Sequence, residues 1–189
     1  MSLLRSWRLV AAALTLGGSA GAAPAGAVKA AAAAVTFRDA AYLHRWAQAD
    51  QHEFTPKGQE DLEHWSDMVT VDYYRRVTTG EQLAATANSV LGIYRSNHAI
   101  IVRTNSVPRT PEKPAEYLIV ALFPQHDFIE AVFARFRLEG GIGLAVIYSH
   151  REYGQKIGNQ MSAWLQQNGP ADEQALMALA PIPILDPAP

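Results

Sequence analysis

The chain has 189 residues, a formal net charge of −2 at pH 7 and no cysteine. Without cysteine it can have no disulfide framework, no thiol catalysis and no cysteine metal site. Because the charges nearly balance, the chain has no excess of basic residues that would attract nucleic acids or anionic membranes. We therefore expect neither as a partner.

The first 27 residues have the three parts of a bacterial secretory signal peptide. Arg5 and Arg8 precede an apolar stretch at residues 9–16, and small residues suited to cleavage end at Ala22 or Ala27. The apolar stretch is shorter than the ~20 residues that span a bilayer. The sequence therefore predicts a mature protein that is periplasmic or secreted and is not inserted in the membrane.

The rest of the chain divides into three predicted parts. An alanine-rich lead-in covers residues 28–50, a single domain covers residues 51–179, and a proline-rich tail covers residues 180–189. In the lead-in, apolar residues at helical spacing predict a short helix over residues 40–49. The tail is expected to be extended or disordered.

Within the domain, a capping box of Thr79 with Gln82 predicts a helix that ends near Asn97. Two short helices, capped by Asn159 and Asp172, are expected to close the domain. This order predicts an α+β fold, a mostly antiparallel sheet of about six strands with helices packed on it as an α/β sandwich. The six predicted strands are residues 52–55, 68–77, 99–107, 117–123, 128–138 and 142–153.

The last two strands form a long hairpin around Gly140-Gly141, a favoured two-residue turn. Placing Glu139 opposite Ile142 sets the register and predicts cross-strand pairs of the stabilising kinds, two aromatic and one of opposite charge. The pairs are Phe133 with Tyr148, Phe128 with Tyr153 and Glu130 with Arg151.

Residues 54–59 (FTPKGQ), then Trp65 and residues 68–71 (MVTV), resemble the opening of proteins in the PsbP/Mog1-like superfamily. The long helix, antiparallel strands and final helix that follow are similar to its layout across residues 51–168. The resemblance implies a fold and a class of accessory and binding proteins without chemistry of their own, and it transfers no functional residue. The chain is also similar in general features to exported bacterial proteins of an uncharacterised family.

The sequence contains no nucleophile elbow, zinc-protease motif, phosphate-binding loop or calcium loop. Its histidines have none of the i, i+2 or i, i+4 spacings of common local metal sites. We therefore assign no catalytic residue, metal ligand or cofactor. The histidines are His44, His52, His64, His98, His126 and His150.

One face of the predicted hairpin carries a mixed aromatic and charged patch, which is suited to an anionic small ligand or a segment of a partner protein. The same pattern also fits charged strand ends that protect a sheet against edge pairing. The five residues of this patch, the hairpin patch below, are Arg135, Arg137, Tyr148, His150 and Glu152.

The leading hypothesis is an exported, non-enzymatic domain that binds a partner protein or small ligand in the cell envelope. One alternative is a structural or assembly protein with an exposed apolar patch. Another is an envelope hydrolase or metal-dependent enzyme that uses scattered His, Asp and Glu side chains. That enzyme requires at least three members of one set to converge: His52, Glu53, Asp61, His64 and His150.

Export has a direct test. When the full chain is expressed in a bacterial host, we expect the protein in the periplasm or medium to begin at Ala23 or Val28, because signal peptidase cuts after small residues. Amino-terminal sequencing of the fractionated protein measures this. A protein that stays in the cytoplasm and retains residues 1–22 would contradict the prediction.

Overall fold

The structure, a computed structural model, describes residues 34–188. The predicted signal peptide, residues 1–27, and the first part of the lead-in, residues 28–33, lie outside the described residues. The described chain forms four strands, a helix, four strands and a helix. The strands are β1 (Ala34–Phe37), β2 (Ala40–Gln48), β3 (Gln51–Pro56), β4 (Asp67–Tyr74), β5 (Ile100–Val107), β6 (Glu116–Pro124), β7 (Phe128–Glu139) and β8 (Ile142–Tyr153), and the helices are α1 (Gly80–Ser96) and α2 (Ile157–Ala178).

All eight strands belong to one antiparallel sheet in the order β1-β2-β3-β4-β8-β7-β6-β5. Each half of the sheet is a meander of consecutive strands. Helix α1 carries the chain from the end of β4 to the far edge at β5, and the second meander returns until β8 pairs with β4. Strands β1 and β5 are therefore the two edges.

The helices cover opposite faces of the sheet. Along β6, Leu118 and Val120 belong to the hydrophobic cluster that includes residues of α2, whereas Ile119 and Ala121 belong to the cluster that includes residues of α1. This alternation puts one core on each face. The continuous apolar run of the predicted strand at residues 117–123 therefore marks a central strand covered on both sides, and the fold is an α+β sandwich of three layers.

Helix α1 begins as the capping box predicts. The Gln82 backbone N–H donates to the Thr79 hydroxyl at 3.3 Å, and the Thr79 backbone N–H donates to the Gln82 side chain at 3.2 Å. The helix packs on the sheet through Leu83 and Tyr94, and the Tyr94 ring meets Phe123 edge to face at 5.0 Å. This prediction is confirmed.

The register of the β7–β8 hairpin is also confirmed, with all four predicted pairs in place. Gly140 and Gly141 both have positive φ, 56° and 84°, which a type I′ turn requires. The Arg151 guanidinium bonds Glu130 at 2.9 Å and lies 4.3 Å from the centre of the Phe128 ring. The pairing thus combines a salt bridge with cation–π contact.

The sheet has eight strands rather than about six, because β1 and β2 were not predicted, and the short helix predicted over residues 40–49 is wrong. Residues 40–48 form β2, which pairs with β1 and β3. The turn between β1 and β2 is Arg38-Asp39, and both residues have positive φ. This hairpin turn contains neither glycine nor asparagine, the residues from which such a turn is usually predicted.

The two short closing helices are also wrong, because α2 runs without interruption through Asn168-Gly169-Pro170. Met161 before the proline and Leu176 after it are both fully buried in one core cluster, so packing stabilises both halves. Pro170 itself is exposed, where water can bind the carbonyl that loses its helical partner. Tertiary packing therefore outweighs the helix-breaking signal.

The tail after α2 is extended and packs against the sheet. Ile182 is buried, and the Tyr73 hydroxyl donates to the Pro183 carbonyl at 2.9 Å. The Ala188 N–H donates to the Ala49 carbonyl at 2.8 Å, which forms an isolated bridge. Among residues 34–188, neither helix is long and apolar enough to cross a membrane.

Candidate functional site

The two arginines of the hairpin patch hold the end of α2. Arg135 donates to the carbonyls of Leu176 and Leu179 at 2.8 and 3.2 Å, and Arg137 donates to those of Leu179 and Ala180 at 2.7 and 3.0 Å. Both side chains are buried. Cations at this position satisfy carbonyls that lack helical partners and complement the helix dipole. A ligand at these arginines would have to compete with these bonds.

The other three residues of the hairpin patch form a network with Asp67 and Trp164. The Tyr148 hydroxyl donates to Asp67 at 2.8 Å, and His150 places Nδ1 3.0 Å from Asp67 and Nε2 3.3 Å from Glu152. The His150 ring stacks on Trp164 at 3.9 Å. Burial alone would raise the pKa of the Asp67 carboxyl, but hydrogen bonds from His150 and Tyr148 lower it below its usual value.

This network limits the chemistry of His150. Both ring nitrogens face carboxylates, so in this arrangement neither accepts a proton from a nucleophilic hydroxyl, as a catalytic triad requires. His150 is also only 9% exposed. The structure brings Tyr148, His150 and Glu152 together and separates them from the arginine contacts at the end of α2. A ligand-binding role for the five residues stays a prediction.

The five residues on which the enzyme alternative depends lie in three places. His52 and Glu53 are consecutive on β3 and point to opposite faces of the sheet. Asp61 and His64 pair with each other at 3.2 Å on an exposed loop, and His150 belongs to the Asp67 network. Across the described part of the chain, no three His, Cys, Asp or Glu side chains form a group that could hold a metal ion.

An open groove lies beside strand β5, between α1 and the β5–β6 hairpin, with a volume of about 340 Å³. Its apolar lining is supplied by Leu91 of α1 and by Tyr117 and Ile119 of β6. Polar side chains at its rim include Asn88 of α1 and Ser106 of β5.

The two edges of the sheet differ in exposure. On β1, Val35 and Phe37 are buried, at 5% and 2% exposed. On β5, Ile100 and Val102 are 55% and 51% exposed, and Val107 is 46% exposed. Strand β5 pairs with β6 and has no strand on its other side among the described residues. Its outer backbone groups are therefore available to another strand.

A buried carboxyl lies on the face of the sheet that α1 covers. Asp72 is opposite Ala145, a member of the α1-side core, and one of its carboxylate oxygens has no hydrogen-bond partner. Burial raises the pKa of Asp72 well above its usual value, and the nearby charge of Glu53 raises it further. The protonated form is therefore the one that the folded state favours.

An eight-stranded antiparallel sheet covered by one helix on each face, with one open edge, defines a domain of the α+β class. Residues 30–181 match the model of a protein family, and the chain belongs to this uncharacterised family. The search of curated proteins found no match.

Among solved structures, the chain is similar to the Ran-binding protein Mog1p of Saccharomyces cerevisiae. The two share 9% identity, and the match covers 78% of this chain and 89% of that chain with a TM-score of 0.48. No property of Mog1p is transferred to this chain by it.

The contacts of Arg135 and Arg103 predict that replacing the two arginines lowers the free energy of unfolding by very different amounts. Arg135 is buried and bonds Glu116 at 2.7 Å, so Arg135→Met should lower the free energy of unfolding by about 3–5 kcal/mol, as expected when one partner of a buried pair is removed. Arg103 pairs with Glu173, but its side chain is 53% exposed, so Arg103→Met should cost about 1 kcal/mol or less. Urea unfolding measures both, and equal losses would contradict the assignment.

Because the Asp72 carboxyl is buried, we expect that replacing it raises the free energy of unfolding by an amount that depends on pH. As pH rises through the usual aspartate pKa, the unfolded chain ionises while folded Asp72 stays protonated, so the wild type loses stability with rising pH. Asp72→Asn removes this ionisation-linked loss, so we expect it to raise the free energy of unfolding at pH 7.

Urea unfolding of Asp72→Asn at several pH values provides the measurement. The gain should shrink as the pH falls through the usual aspartate pKa of 3.8, below which both states of the wild type are protonated at this position. Asp127→Asn, at an exposed position, is the control and should show no such trend. A gain independent of pH would contradict the role assigned to ionisation.

Proposed function

We propose that the protein is an exported, periplasmic or secreted, non-enzymatic domain that binds a partner protein by adding an extended segment of the partner to the free edge of β5. The single observation that carries this proposal is that β5 has no strand on its outer side among the described residues and exposes apolar side chains, whereas Val35 and Phe37 of the other edge strand are buried. Strand addition to such an edge is a recurring mode of peptide recognition.

The chemistry of the groove specifies the partner segment. Strand addition supplies affinity through main-chain hydrogen bonds, and pockets for alternate side chains supply specificity. Thr104 and Ser106 pair with Ile119 and Tyr117, so these residues share the face that α1 covers, where the groove lies. Alternate side chains of an added strand would reach this apolar groove. The expected partner is therefore an extended, uncharged segment with small apolar residues at every second position.

The size of the groove also favours a segment over a folded surface. A volume of about 340 Å³ is near the lower end of ligand pockets, which hold roughly 300–1,000 Å³. It accommodates a few side chains. Export is supported separately by the charged, apolar and small-residue pattern of residues 1–27.

Binding can be tested with labelled eight-residue peptides that have Val or Ala at alternate positions and Ser or Thr between them. Fluorescence anisotropy should detect saturable binding by the wild type. Asn88→Trp, which fills the mouth of the groove, and Val102→Lys, which puts a charge on the edge strand, should weaken binding at least about tenfold.

Each variant has a matched control. Ser89→Trp adds the same bulk to the next, exposed position of α1, and Ile184→Lys adds the same charge to an exposed apolar residue away from β5. Both controls should bind like the wild type. Absence of saturable binding, or equal loss in variants and controls, would overturn the proposal. The proposal would also be overturned if the free protein forms a dimer and Val102→Lys abolishes it, because a second copy of the chain would then occupy the edge of β5.

A further inference from the structure

Two histidines that are eight positions apart in the sequence meet across strands β2 and β3. His44 Nε2 lies 3.2 Å from His52 Nδ1. The ring centres are 5.3 Å apart and the planes are tilted by 39°, so the rings meet through their nitrogens rather than by stacking. His52 is buried and His44 is partly exposed, which gives the pair one side open to solvent.

The hydrogen bonds of the pair fix the orientation of His44. The His44 ring also donates a hydrogen bond to the backbone of Trp46. Because Nε2 faces His52, we assign this donor to Nδ1. The lone pair of His44 Nε2 is then directed toward His52. A backbone carbonyl that orients an imidazole in this way is the usual outer-shell partner of a metal-binding histidine.

The distance between the two nitrogens suits a shared metal ion. Zinc–imidazole bonds of about 2.0–2.1 Å at a tetrahedral angle separate the two nitrogens by about 3.3 Å. The observed 3.2 Å between His44 Nε2 and His52 Nδ1 is close to this separation. A bound ion would replace the proton that lies between His44 and His52 in the hydrogen-bonded pair.

The remaining nitrogen of His52 permits this exchange. His52 Nε2 is buried and has no hydrogen-bond partner among the described residues. When Nδ1 binds an ion, the ring proton moves to Nε2, and only the hydrogen bond between the two histidines is lost.

We propose that His44 Nε2 and His52 Nδ1 form a binding site for a divalent transition-metal ion, Cu²⁺ or Zn²⁺. Imidazole ligands suit these ions, and Cu²⁺ should bind more tightly than Zn²⁺. Asp50 lies near enough to act on His52, but it bonds Arg75 at 2.6 Å, so water completes the coordination. The site is on the first meander, away from β5, and is independent of the proposed partner binding.

The test uses the full chain without a histidine tag, freed of metal with a chelator and given one equivalent of CuCl₂ at pH 7.5. The electron paramagnetic resonance spectrum should show splitting from two nitrogen ligands. Calorimetric titration with ZnCl₂ should give one site. His44→Gln and His52→Gln should each weaken zinc binding by more than the roughly 10–100-fold that loss of an outer-shell partner costs.

The controls separate this site from surface binding. His64 and His126 are exposed and each contacts an aspartate, so His64→Gln and His126→Gln should leave zinc affinity unchanged. Far-UV circular dichroism checks that His44→Gln folds, and this partly exposed position makes it the safer variant. Three results would each overturn the proposal. They are loss of zinc binding in His64→Gln or His126→Gln, unchanged zinc affinity in folded His44→Gln, and no binding by the wild type at 1 equivalent.

Discussion

The ladder between β4 and β8 is the interaction on which the rest of the structure depends. It pairs every residue of β4 from Asp67 to Tyr74 and joins the two meanders into one sheet. Because these strands are far apart in sequence, their pairing fixes which strands become edges. It also places Asp67 beside Tyr148 and His150, so that the network under α2 forms at this junction.

The same pairing makes β1 and β5 the edge strands, and their apolar side chains differ in exposure. At β1, the Phe37 ring packs 4.5 Å from Tyr148, and the neighbouring Arg38 bonds the buried Asp172 of α2 at 2.6 Å. These contacts tie the end of β1 to β8 and α2. At β5, Arg103 pairs with Glu173, but the side chains of Ile100, Val102 and Val107 remain exposed. A long exposed edge with apolar side chains is one that natural proteins protect unless it is used for pairing. This asymmetry is the physical basis of the proposed function.

The sequence predicted the parts of the fold that depend on local chemistry. The capping box at Thr79 and the register around Gly140-Gly141 require only neighbouring residues, and both are confirmed. The sequence predicted two helices in place of α2 because Pro170 is a local helix-breaking signal. In the folded chain, packing on both sides of Pro170 outweighs that signal. Strands β1 and β2 were missed because Arg38-Asp39 adopts a hairpin turn that common turn residues do not mark.

The candidate sites were less predictable, since each depends on pairing between distant segments. The apolar pattern of β5 predicted a strand, but only the strand order makes it an edge. Arg135 and Arg137 were placed in a ligand patch because the sequence does not reveal that the carbonyls at the end of α2 lie against them. The contact between His44 and His52 was not predicted, because an eight-residue spacing becomes a contact only when β2 pairs with β3.

Hydrogen exchange of the β5 amides, with and without the alternating Val/Ser peptide, tests the central claim most directly. In the free protein, amides on the outer side of Ile100–Val107 should exchange rapidly, while those of β7 and β8 stay protected. Saturating peptide should slow the outer β5 amides and leave β1 and β2 unchanged. Outer β5 amides that are already protected in the monomer, or that the bound peptide does not slow, would contradict the account.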